Sequence, residues 1–240
     1  MPTRAEILDT LAASQTQVMT FFQGLSPDDL ERPATASDVP GAAPWRAQDH
    51  LAHLVKSERS LQPLLRRALA GETRDVLLRL QYPEGMPMPG ILGDLSALTP
   101  EEMERLVMAV ANVNQAYVDE HHNDSMEILA ADYLAVRQET LGLLHQFTDD
   151  QLAAPVPTVV GDQAAGDLFA GRAEHAAGTL PRSRKDFVRA RDTPHGPRRT
   201  CPPGRGMTDW IGWMTTSRSY NKESRNDTES VWIGSRRISE

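Results

Sequence analysis

The 240-residue chain has a single cysteine, Cys201. It therefore admits no intramolecular disulfide framework and no cysteine-rich zinc module. Aromatic residues are scarce at 5%, while Ala and Leu abound, a balance that favours helices packed by small and aliphatic side chains. No segment reaches the roughly 18 uninterrupted apolar residues of a membrane span. The opening Met1-Pro2-Thr3-Arg4-Ala5-Glu6 is polar and meets Asp9 before any apolar stretch of secretory length. These absences point to a cytoplasmic protein with no membrane partner. Several catalytic signatures are missing too: there is no G-x-G-x-x-G, no G-x-S-x-G and no H-E-x-x-H. Gly161-x4-Gly166 has the spacing of a phosphate loop but is followed by Asp167, and Cys201 has no plausible base near it in sequence.

Hydrophobic residues form 40% of the chain, enough for a sizeable core. The net charge of −8 is unevenly spread. From Thr193 onward eight basic residues face five acidic ones, so residues 1–192 carry a charge of −11. So acidic a body repels phosphate backbones, and a nucleic-acid partner is not expected.

Caps and periodicity divide the body into helices. Thr3 and Glu6 form a capping-box pattern, followed by Ile7, Leu11, Val18, Phe21, Phe22 and Leu25 at three- and four-residue spacings. Glu31 to Gly41 is rich in breakers and reads as a loop. A second helix is expected from about Trp45 to Gly71, and residues 72–98, with Pro83, Pro87, Pro89 and several Gly, read mostly as an irregular excursion. Thr99-Pro100-Glu101-Glu102 starts a further helix, whose apolar stripe packs in the core or, alternatively, serves a homodimer interface. Ser125 caps another through Phe147, Thr148–Gln151 starts a short turn, and the last helix spans about Asp162 to Arg191. No stretch alternates as a strand does. The fold class is therefore all-α, four principal helices in a bundle plus an accessory helix over residues 1–192. Residues 193–240 form a basic extension of low order carrying Trp210, Trp213 and Trp232.

Histidine is the remaining source of chemistry. His53 in the second helix and His175 in the last can send imidazole nitrogens from two helices into a bundle core, a common way to hold a divalent metal. Periodicity alone leaves open whether His50 or His53 faces inward. His121-His122 reads as a solvated helix end and His145 as a boundary residue.

The run Trp45-Arg-Ala-Gln-Asp49-His-Leu-Ala-His53-Leu54 resembles the second-helix motif of the DinB/YfiT-like superfamily, in which a Trp precedes a metal-binding His by eight residues. Gly166-Asp-Leu-Phe-Ala-Gly-Arg172-Ala-Glu-His175-Ala-Ala-Gly-Thr179-Leu-Pro181 is similar to its fourth-helix motif, and the resemblance spans about residues 4–191. It implies a four-helix bundle holding a divalent ion (zinc, nickel, manganese or iron) through three histidines. Some relatives, among them mycothiol-dependent maleylpyruvate isomerases and bacillithiol transferases, use a low-molecular-weight thiol. A metal lowers the pKa of such a thiol, and the thiolate is the nucleophile. Carried over by motif, His53 and His175 are metal ligands. Thr179 stands where the family's His-x-x-x-His pattern has its second imidazole, and a hydroxyl is a poor substitute for one. The resemblance thus implies a metal-dependent thiol transferase or isomerase acting on a small electrophile, with Arg172 as a candidate anchor for an anionic substrate. The alternative is a non-catalytic bundle that binds a small molecule or partner through a degenerate metal site.

Overall fold

The structure is a computed structural model that describes residues 2–33, 35–82, 98–159 and 161–192, with residues 181–192 as backbone alone. The extension expected over residues 193–240, with Cys201, lies outside these residues. Eight helices and one two-stranded hairpin make up the described part. In chain order they are α1 (Arg4–Gln23), α2 (Pro27–Glu31), α3 (Ala47–Leu69), α4 (Arg74–Arg79), α5 (Pro100–Glu120), α6 (Met126–Leu144), α7 (Asp149–Ala153), β1 (Pro155–Thr158), β2 (Gly161–Ala164) and α8 (Ala165–Asp192).

The long helices begin where side chains satisfy the free N–H groups of a first turn. Thr3 with Glu6 and Thr99 with Glu102 complete reciprocal capping boxes at α1 and α5, and Ser125 accepts from the Ile128 N–H at α6. At α3 the Asp49 carboxylate accepts from the Arg46 backbone N–H at 2.7 Å, so the helix starts two residues after Trp45. α1 buries Ile7, Leu11, Ser14, Val18 and Phe22, one stripe at 3.6-residue periodicity. α3 packs along α6, α5 and α8, and α1 packs along α8.

A polar layer divides the core. Toward the C-terminal half of α3, Leu61, Leu64 and Leu65 join Ile7, Leu11, Leu144, Phe147 and Phe169. Toward its N-terminal half, Leu51, Leu54 and Val55 join Val18, Phe22, Tyr133, Val136 and Ala176. Between the two clusters Glu58 of α3 pairs with Arg137 of α6 at 2.7 Å, the side chains 4% and 1% exposed. Thr140 donates to the other Glu58 oxygen at 2.8 Å, and Arg137 donates to the Tyr133 hydroxyl at 2.9 Å.

Two expectations need correction. A strand pair does form: Pro155–Thr158 pairs antiparallel with Gly161–Ala164, Pro157 opposite Asp162. Each strand has only four residues, too few for a period, and buried Val156 rather than alternation holds the hairpin on the core. The last helix accordingly begins at Ala165, after β2. Within the stretch after Gly71, read as mostly irregular, the short helix α4 forms and buries Leu77 and Leu78; residues 83–97 lie outside the described ones. Among the described residues no helix is long and apolar enough to cross a membrane.

Candidate metal centre

The core-facing stripe of α3 runs through Leu51, Leu54, Val55, Glu58 and Leu61. His53 is off that stripe, on the flank turned toward α8. There its Nε2 lies 3.1 Å from Nε2 of His175, with ring centroids 5.2 Å apart. His53 is the one that meets His175; His50, also buried, on the neighbouring flank, directs its Nε2 to the Thr35 hydroxyl at 2.9 Å. The two histidines expected to converge from distant parts of the chain do so.

Trp45 holds this arrangement from outside. Its ring centroid is 5.3 Å from that of His53 and 5.4 Å from that of His50. The indole is fixed at both ends, since Nε1–H donates to Gln115 Oε1 of α5 at 2.9 Å and the Trp45 backbone bridges to Thr35. Gln115 in turn donates to Asp119 at 2.7 Å. The Trp–His spacing thus has a physical use: it lays an aromatic face against the imidazole that meets α8.

The electrostatics keep His53 neutral. Burial pushes its pKa from 6.5 down to about 3, helped by the positive fields of His50, Lys56 and Arg172. A neutral imidazole retains the lone pair that a metal requires. Two nitrogens bound tetrahedrally to one ion at about 2.0–2.1 Å stand roughly 3.3–3.4 Å apart, so the observed 3.1 Å fits a shared ion. The same distance also fits a direct N–H···N hydrogen bond. His53 Nδ1 is buried with no hydrogen-bond partner among the described residues, and the Trp45 ring orients the imidazole where a carboxylate or carbonyl usually would.

The third expected position is held by a hydroxyl engaged with its own helix. Thr179 lies one turn beyond His175 on α8, but its hydroxyl donates to the His175 carbonyl at 2.9 Å, the local bond that helical Thr commonly makes. No group of three His, Cys, Asp or Glu side chains suited to a metal occurs among the described residues. Arg172 is not turned to solvent: it is half-buried, and its Nη1 donates to Ser57 Oγ at 2.9 Å, one turn along α3 from His53. Lys56, beside it, went unnoticed in the sequence, although its i+3 spacing from His53 puts it on the same side of the helix. The other described histidines stay apart. His121 pairs with Asp124 at 2.7 Å, His122 sits against Arg46 and Asp49, and His145 caps α6.

Comparison of the chain with protein-family models, with curated proteins and with solved structures finds no match.

Proposed function

We propose that this chain is a DinB-like four-helix bundle that holds a divalent metal between His53 and His175 and acts on a small electrophile with a low-molecular-weight thiol. The observation that carries the reading is the 3.1 Å approach of the two Nε2 atoms across α3 and α8. Both side chains stem from rigid helices, and the Trp45 ring braces one of them. The metal, zinc, nickel, manganese or iron, would supply Lewis acidity and a lowered thiol pKa. With two protein ligands the remaining coordination positions are left to water and thiol. His53 presents a neutral nitrogen to His175, the core lies behind them, and Arg172 holds a positive charge beside them.

A second reading has its own support. Because the Thr179 hydroxyl is engaged with its own helix, the site has the look of a three-histidine centre that has lost a ligand, and the protein would then bind a small molecule without chemistry. Metal analysis of protein purified without a His tag separates the two. The first reading expects near-stoichiometric metal, lost in His53→Ala, and turnover of an electrophile with mycothiol, bacillithiol or glutathione. Metal-free wild type that gains metal in Thr179→His favours the second. If both proteins are metal-free, the ligand assignment is wrong.

A further inference from the structure

The seam between α3 and α8 has two rungs, one helical turn apart. The first is the imidazole pair. The second is Arg172, held by Ser57 Oγ at 2.9 Å and facing the Ser57 carbonyl at 3.4 Å. Ser57 is four residues after His53, Arg172 three before His175, and Lys56 adjoins Ser57, so the rungs share one side of the seam. Lys56 and Arg172 are both half-buried, and Lys56 makes no ion pair among the described residues.

Two cations drawn together in partial burial oppose each other. Burial and then the Arg172 charge lower the Lys56 pKa, and both cations act on His53. Glu58 favours the Arg172 charge, but its carboxylate is bound at 2.7 Å to Arg137 and at 2.8 Å to Thr140. A concentration of positive charge on a partly open seam is suited to an anion. The planar guanidinium matches a carboxylate edge, and the ammonium adds a point charge.

We propose that Lys56 and Arg172 form an anion-binding pair that takes the carboxylate of the small-molecule ligand beside the two imidazoles. The proposal rests on the reading above for the ligand's place next to His53 and His175, but it is testable without metal. The experiment is calorimetric titration of full-length, metal-stripped protein with malonate, with its neutral counterpart malonamide and with inorganic phosphate. Malonate is expected to bind and malonamide not. Lys56→Gln and Arg172→Gln should each weaken malonate at least about tenfold, and Lys56→Arg, which keeps the charge, should stay within about threefold of wild type. Thermal melts establish that each variant is folded, and Lys56→Gln carries the test if Arg172→Gln is not. No malonate binding by wild type, equal binding of malonamide, or unchanged affinity in folded Lys56→Gln overturns the proposal. Tighter binding of phosphate than malonate overturns the carboxylate assignment. A wild type that binds malonate through these residues but never binds metal overturns the metal reading alone.

Discussion

An arginine 1% exposed is an unusual core residue, and Arg137 is tolerated because Glu58, Tyr133 and the Tyr133 ring face surround it. Removing one member strands the other charge. Arg137→Met is therefore expected to destabilise the protein by about 3–5 kcal/mol in urea unfolding, whereas Glu58→Met with Arg137→Met loses much less than the sum of the single changes; additive losses would contradict a coupled pair. His53 gives a pH signature of its own. In metal-stripped protein the unfolded chain takes up a proton near pH 6.5, and the folded one not until about pH 3. The neutral imidazole's share of stability is complete above pH 6.5 and is lost as pH falls toward 3, at up to about 1.4 kcal/mol per pH unit. Replacing His53 by Gln should flatten the profile between those limits; parallel profiles would show that His53 titrates normally. Thr179→His, by placing an imidazole one turn from His175, should tighten metal binding at least about tenfold, read by competition with a chromophoric chelator.

Elements were legible where a cap or several turns of apolar stripe marked them, and even the five-residue α7 was readable from its Thr148–Gln151 cap. α1, α5 and α6 were readable from Thr3, Thr99 and Ser125 and from the apolar stripes that follow, because a cap and three turns leave a repeating signal. α4 and the hairpin were not, because elements of four to six residues have no period and exist by burying Leu77, Leu78 and Val156. The hairpin also depends on one backbone conformation. Gly161 has φ of +106°, and Thr158 Oγ1 donates to its carbonyl at 2.6 Å. Gly161→Ala should destabilise by about 1–2 kcal/mol in urea unfolding, since a Cβ is strained at that φ; a neutral effect would show that the turn relaxes without loss. The site was legible in part for a similar reason. His53 and His175 were singled out as histidines of the second and last helices and by the motif resemblance, but whether His53 or His50 meets His175 depended on which flank of α3 meets α8. That is a tertiary fact.

At the scale of the whole molecule, α3 is the common wall. It contributes to both apolar clusters, carries Glu58 of the polar layer between them, and presents His53, Lys56 and Ser57 to α8. The stripe of α5 buries Leu106, Val107, Ala111 and Val118, with Gln115 reaching the Trp45 loop and Val113 left exposed. In a body with a charge of −11, Lys56 and Arg172 stand together at one seam. The central claim is that the imidazoles of α3 and α8 share one ion there. It is tested most directly by titrating cobalt(II) into metal-stripped full-length protein while following its visible absorption. The account predicts one ion per chain in wild type and the same large loss of affinity in His53→Ala and His175→Ala; undiminished binding in either variant would contradict it.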